Sequence, residues 1–301
     1  MIVSLSETES MQVALIGASG RIGRRAVPAL LDASYDVVAG VRRPHEAARV
    51  PTGSDGRAAR TVVCDVLDPD SLLDLVHGCD AVVDLASHEP DHWQIAVPGS
   101  WRRQDQLLTR GVENLVAAAY LADVRRVVLQ SSSVLYADGG EGWVREGHPV
   151  DVTSATEPLA VAESQVLDLA GPTRAAVVLR LGHVVGGGET HPVGLGIGSP
   201  ESWMHLVHPD DAAEAVVAAL RAPTGTYNVG AEPLRRSEVE TGVLGRPGLL
   251  TRRLGAGRLE PHARSLRVSS DHFTATTGWA PWHQRWSPEW LGAWESHQAR
   301  S

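Results

Sequence analysis

Along this chain, short apolar runs recur at intervals that helical periodicity fills. Met11–Ser34 (MQVALIGASGRIGRRAVPALLDAS) passes from an apolar strand through a glycine turn into a helix with Ile22, Ala26, Leu30 and Leu31 on one side. Further runs rich in β-branched residues follow at Asp36–Val41, Arg60–Val66, Asp80–Leu85, Arg126–Gln130 and Ala175–Leu181. Between them the pattern predicts helices at Asp70–His77, over a long stretch near Trp101–Ala122, and at Glu157–Ala170. Strands that are apolar throughout, and do not alternate, belong to a parallel sheet covered on both faces. From Gly186 the punctuation changes, and GGGETHPVGLGIGSP predicts a long loop leaving the sheet. Behind it come a helix at Pro209–Arg221, a strand at Gly225–Gly230 and a tail with tryptophans at 279, 282, 286, 290 and 294. Their mixed helical spacing favours core packing over an aromatic platform.

The expected organisation is a disordered extension over residues 1–10 and a sheet domain over 11–186, to which 209–230 returns. Residues 187–208 and 231–301 form a small lobe over the carboxyl edge of the sheet. At 301 residues with 43% apolar composition, the chain can bury a sizeable core. Its net charge of −9 offers no general phosphate neutralisation, which argues against a nucleic-acid partner and for a small-molecule one. No apolar run approaches the roughly 18 residues that span a bilayer, and the expectation is a cytoplasmic protein. Cys64 and Cys79 lie in or beside strand patterns, where buried structural thiols are expected, and they cannot build a zinc site by themselves. All 27 basic residues are arginine. Without lysine the chain has no Schiff-base former and no ammonium to lower a neighbour's pKa.

Gly17, Gly20 and Gly23 stand between the first strand and the first helix as G-A-S-G-R-I-G. In that setting the first glycine permits the turn, the second lets backbone approach a pyrophosphate, and the third lets helix pack on strand, with Ser19, Arg21 and Ile22 between them. At the end of the second strand, Arg42 and Arg43 stand where a site selective for NAD would carry a carboxylate, so NADP is the expected cofactor, with NAD as the alternative. Asp65, closing the third run beside Val66, is placed to accept from an adenine amino group or to cap the helix beginning near Asp68. Ala86 and Ser87, after the fourth strand, complete the expected nucleotide contacts.

The ordered set GASGRIG, CDVLD, DLAS at Asp84–Ser87, Asn114 in GVENLV, VLQSSSVLY, VVLRLGHVVG, LVHPDDAAEAV, TYNVG and SLRVSS…TGW resembles the extended short-chain dehydrogenases/reductases of the NAD-dependent epimerase/dehydratase family. The likeness covers most of residues 11–295. It implies an α/β Rossmann fold, a doubly wound parallel sheet, with a small C-terminal substrate lobe. It also implies a bound dinucleotide and a homodimer joined through two long helices, which the sequence itself leaves open.

That family works through a serine and a Tyr-x-x-x-Lys pair. Counting back four from Tyr136, Ser132 matches the serine, with Ser131 and Ser133 as near alternatives. On the following helix, EPLAVAESQVLDLA places Leu159 at the tyrosine and Glu163 at the lysine. Leucine has no proton to exchange, and Glu163 would raise a neighbouring acid's pKa although it could accept from ribose hydroxyls. Substitutes must come from loops at the carboxyl ends of the strands. These hold His88, Glu89, Asp91, His92 and Trp93 in one loop, Tyr136 and Asp138 in the next, and His183, Glu189 and His191 in the third. Proton delivery is assigned to Tyr136 or His88, and Ser132 would polarise a carbonyl oxygen. A metal site from His88, His92 and His191 has no diagnostic spacing and none is expected. His208 reads as structural, Asp210 and Asp211 as caps, and Arg180 either as an anion holder or as half of an ion pair.

The reading is an NAD(P)-dependent enzyme of epimerase/dehydratase type with an atypical active site, acting on a small molecule of secondary metabolism by hydride transfer or an allied epimerisation or dehydration. Two alternatives stand beside it: a non-redox cyclase, isomerase or lyase, and a catalytically inactive dinucleotide-sensing protein. Sugar nucleotides are common substrates in the resembling family, but no motif of the lobe here ties to a diphosphate.

Overall fold

The computed structural model describes residues 10–88, 90, 97, 99–188, 197–243 and 257–291. Residues 1–9, Glu89, Asp91, His92, Trp93, Glu189, His191 and Trp294 therefore lie outside the described residues.

Val-rich β1 (Gln12–Ile16) runs through the glycine turn into α1 (Gly23–Asp32), which buries Ala26, Val27, Leu30 and Leu31 against the sheet. There follow β2 (Asp36–Val41), β3 (Arg60–Val63), α2 (Pro69–Val76), β4 (Ala81–Asp84), α3 (Arg102–Gln106), α4 (Val112–Leu121) and β5 (Arg126–Ser132). Next come β6 (Trp143–Val144), α5 (Glu157–Leu167), β7 (Ala175–Leu181), β8 (His183–Val184), β9 (Trp203–Met204), β10 (Leu206–Val207), α6 (Pro209–Ala219) and β11 (Gly225–Val229). The chain continues through β12 (Leu234–Arg235), α7 (Arg236–Val243), α8 (Glu260–Ala263), β13 (Arg267–Val268) and α9 (Asp271–Thr277).

Seven strands form one parallel sheet in the order β11-β7-β5-β4-β1-β2-β3. The chain builds outward from β1 to β3, then returns to the other side of β1 as β4, which makes a switch point between β1 and β4. Open α/β sheets bind ligands in that crevice. On one face α1 and α6 cover Val13, Leu15, Val83 and Val177; on the other α2, α4 and α5 cover Ala14, Val82, Val127 and Val178. Both cysteines are free and buried, and burial pushes each thiol up to about 11, so neither is a ready nucleophile.

Three local differences from the sequence pattern matter for the site. The run Arg60–Val66 is strand only to Val63, where its ladder with β2 ends, and Asp65 turns the chain by accepting from Leu67 N at 3.0 Å. The single helix expected near Trp101–Ala122 is interrupted by a π-helical turn at Leu107–Gly111, between α3 and α4. Finally, α6 is capped by neither aspartate: His208 is the N-cap, its Nδ1 accepting from Asp210 N at 3.3 Å, with Pro209 in the first turn. Helix α2 likewise takes Asp68 as its cap, and not Asp65.

Outside the seven-stranded sheet lie three two-residue ladders, β8 with β10, β9 with β12, and β6 with β13. Trp279 and Trp290 are buried and Trp286 packs against Trp290, whereas Trp282 is 88% exposed. No helix among the described residues is long and apolar enough to cross a membrane.

Candidate functional site

Two cavities open at the carboxyl end of the sheet. The first is lined by Gly17, Ser19 and Gly20 after β1, Arg42 and Glu46 after β2, Asp65 and Val66 after β3, and Ala86, Ser87 and His88 after β4. Its glycines are required by contact. Gly17 has φ +78° and a side chain there would meet Leu85 O at 2.9 Å, while a Cβ on Gly23 would sit 2.1 Å from Gly17 O. The turn and the α1 N-terminus thereby form a backbone cradle with room for a pyrophosphate. Asn114, on α4, fixes the floor by donating to Val66 O at 2.9 Å.

Within this cleft Arg42 is present but Arg43 is not: Arg43 is the exposed N-cap of the short 3-10 helix Pro44–Arg49. That helix carries Glu46, which pattern reading missed, into the cleft. Glu46 Oε2 accepts from Ser19 Oγ at 3.2 Å and from Arg42 N at 3.1 Å, and Oε1 lies 4.0 Å from Arg42 Nη2. Burial alone would raise this carboxyl, but Ser19, the amides of Arg43 and Arg42, and the Arg42 charge hold it below the ordinary value. Asp65 pairs with Arg103 at 3.3 Å. Asp84, just below Ala86, is buried and accepts from Ala86 N at 2.8 Å; burial pushes its carboxyl up to about 6.

The second cavity lies beyond the ends of β5 and β7. Ser131, Ser132, Val134, Leu159, Leu181, Gly182 and His183 line it from the sheet side, Trp101, Gln104, Asp105 and Leu108 from α3 and the π turn, and Arg258, Pro261 and His262 from the lobe. Arg21 also reaches this cavity, donating to Val184 O at 2.6 Å, so it departs from the other expected nucleotide contacts. Ile22, buried at 6% exposure, is the α1 N-cap and contributes backbone. The helix bearing the π turn separates the cavities, with Arg103 and Leu107 facing one and Gln104, Asp105 and Leu108 facing the other. π turns favour functional positions.

Ser132 stands in the second cavity, its Oγ accepting only a 3.4 Å contact from Val134 N among the described bonds. The three other residues expected to act there do not. Tyr136 is 0% exposed, lies outside the lining, and donates its hydroxyl to Asn228 Oδ1 at 2.8 Å, so it has no path to a substrate. Burial also raises its phenol above the ordinary value. His88 lines the first cavity instead, where its backbone N–H donates to Gln104 Oε1 at 2.6 Å. Glu163 faces no ribose. Its carboxylate is clasped by Arg180, with Nη2 to Oε2 at 2.6 Å and Nε to Oε1 at 3.0 Å, and it accepts a short hydrogen bond from the Ser131 hydroxyl. Arg180 therefore forms an ion pair, and its guanidinium also lies 4.5 Å from the Tyr136 ring centre. Burial would lower the Arg180 pKa, but Glu163 outweighs it and holds the charge firmly.

The remaining titratable side chains of the second cavity are also committed. Asp105 is bridged by both terminal nitrogens of Arg258, one at 2.8 Å. Burial pushes His262 down to about 4, helped by Arg236 and Arg264, and pushes His183 well below the ordinary value, helped by His262, Arg236 and His205. Both rings are neutral at pH 7.

Residues 17–223 match the NAD(P)H-binding family. The chain belongs to this family. Among curated proteins it is similar to the 3-diazoavenalumate denitrifying reductase of a Streptomyces species, 29% identical over 92% of this chain and 98% of that protein. It is also 33% identical to cinnamoyl-CoA reductase 1 of Petunia hybrida, over 42% of this chain and 37% of that one. Among solved structures, the UDP-glucose 4-epimerase of Thermus thermophilus in complex with NAD superposes with a TM-score of 0.74 at 20% identity, covering 95% of this chain and 98% of that one. NAD-dependent epimerases thus share the fold. The NAD(P)H-binding family and the glycine cradle agree on the first cavity.

Proposed function

We propose that this protein is an NAD(P)H-dependent reductase that delivers hydride to a small electrophile whose reduction needs no proton from the protein. One observation carries the reading: among the described residues, no carboxyl or imidazole lining the second cavity is left to give up a proton at neutral pH. Leu159 stands where the family resemblance expects tyrosine, Glu163 is locked by Arg180 and Ser131, and His183 and His262 are neutral. A carbonyl becoming an alcohol needs both hydride and a proton. A diazonium group does not. Its C–N bond breaks with the electron pair leaving in dinitrogen, a C–H bond forms in its place, and the charges balance without an acid. The likeness to a denitrifying reductase of a diazo compound points the same way.

The reduced nicotinamide, when bound, supplies the hydride. Gly17, Gly20 and Gly23 would hold the pyrophosphate, Asp65, Val66, Ala86 and Ser87 would flank the adenosine half, and Arg42 would receive a 2′-phosphate. NADP is the favoured cofactor on the strength of Arg42, with Glu46 beside it as the residue that admits NAD. Ser132 orients the substrate, and the apolar Leu159 face excludes water. The setting fits secondary metabolism in the cytoplasm. Tyr120, Leu121 and Val161 leave apolar side chains exposed on α4 and α5, which supports a homodimer through those helices.

The test is transfer of deuterium from 4-deuterated NADPH to an arenediazonium salt, followed by mass spectrometry of the denitrogenated arene against a protein-free control. Protein-dependent label on the carbon that bore nitrogen is expected. Oxidation of NADPH with ketones alone would assign an ordinary carbonyl reductase, and binding without oxidation would assign a dinucleotide sensor.

A further inference from the structure

The wall of the second cavity is an uninterrupted series of rings from three distant parts of the chain. Trp101 and His262 have ring centres 6.3 Å apart with planes inclined by 37°, and His262 and His183 are 5.4 Å apart at 34°. Leu108, Val134, Leu159, Leu181 and Pro261 line the same space. Neutral imidazoles and an indole of shallow mutual tilt offer a broad π surface, which favours offset stacking of another ring.

A sugar nucleotide would require something else. Its diphosphate carries two negative charges that proteins meet with arginine forks or backbone N–H groups. The two arginines of this cavity already hold protein acceptors, Arg21 on Val184 O and Arg258 on Asp105. In the lobe, Arg264 is paired with Asp151 and Glu260, at carboxylate distances of 2.8 and 2.7 Å. Among the described residues, these guanidinium groups would meet a diphosphate only by giving up a carboxylate or a carbonyl oxygen.

We infer that the second cavity takes a flat aromatic substrate, stacked on the Trp101–His262–His183 wall, and not a nucleoside diphosphate sugar. The inference rests on this cavity being the reductase site proposed above. It adds a substrate class to that reading and makes Trp101 the specificity-determining residue.

Calorimetric titration of the NADPH-saturated protein tests it, with 4-hydroxycinnamate, 3-cyclohexylpropanoate and UDP-glucose as probes. The expected result is that the aromatic acid binds about tenfold tighter than its saturated counterpart, in line with the strength of ring stacking. UDP-glucose should give no measurable heat. Trp101→Ala should weaken the aromatic acid by about tenfold and leave the cyclohexyl acid less affected, and Trp101→Phe should restore most of the loss. Equal affinity for the two acids, tighter binding of UDP-glucose, no measurable binding of 4-hydroxycinnamate, or indifference to Trp101→Ala would each overturn the inference. Ring-selective binding with no hydride transfer to any arenediazonium would instead leave the inference standing and remove the reaction proposed for the site.

Discussion

The two cavities at the sheet edge are built from the same strand ends, yet one follows the dinucleotide-binding plan and the other departs from it. At the first cavity Gly17 and Gly23 are each held by a backbone contact that a side chain would violate, and so the turn tolerates little change. Beside the second cavity an acid, Glu163, stands on the helix where the family resemblance expects a lysine, and it is paired with Arg180 from the neighbouring strand. The arrangement keeps a buried opposite-charge pair. Binding the cofactor and handling the proton are separable tasks on one fold, because they rest on different elements.

The sharpest way to break that contrast is to remove this pair. Glu163→Gln leaves the Arg180 charge buried without its partner, and is expected to cost about 3–5 kcal/mol of stability, read by urea unfolding. A loss under about 1 kcal/mol would mean that the pair is incidental. Gly23→Ala attacks the other region. With a Cβ 2.1 Å from Gly17 O, the turn must open, and NADP affinity should fall by about 100-fold in calorimetry.

Asp84 lies beneath the cleft and gives a pH signature. Its folded carboxyl sits near 6, above the ordinary 3.8, so the folded state holds this proton more tightly. Stability from this group is fullest at low pH and declines as pH rises from about 4 through about 6. Asp84→Asn should flatten that decline and gain about 2–3 kcal/mol at pH 7, provided the amide still accepts from Ala86 N. Unfolding curves from pH 4 to pH 8 check it.

Smaller effects sharpen the comparison. Arg42→Ala should weaken NADP about tenfold and NAD much less, whereas Glu46→Gln should shift preference toward NADP by removing a negative charge beside the 2′ position. Equal changes for both cofactors would sink the assignment. Ser132→Ala decides between chemistries: turnover should drop less than about tenfold for hydride substitution, against one to three orders of magnitude if the serine polarises a carbonyl.

Much of this was legible in sequence. The strands Asp36–Val41 and Ala175–Leu181 coincide with β2 and β7, since fully apolar runs bounded by turns leave little choice of register. Glycine spacing located the turn that lines the first cavity because its requirement is local. A signal for the ion pair was also present: an arginine inside the apolar run VVLRL demands a buried partner, and Glu163 is the acid facing it. Glu46 was missed because it enters on a short 3-10 helix that has no periodic pattern. Trp101, Arg258 and His262 were missed for another reason, that they meet only through the lobe's long-range closure. Tyr136 was misplaced because its motif fixes a position along the chain, while its burial depends on Asn228 in β11.

The π turn at Leu107–Gly111 is a wall that both cavities share. Gly111 packs against Val66 of the nucleotide cleft, Leu107 lines that cleft, and Leu108 lines the reaction cavity. A partition shared by two chambers makes their occupancies thermodynamically linked whenever it shifts, and the linkage is reciprocal. Filling either chamber would then change the affinity of the other by the same factor, whichever is filled first.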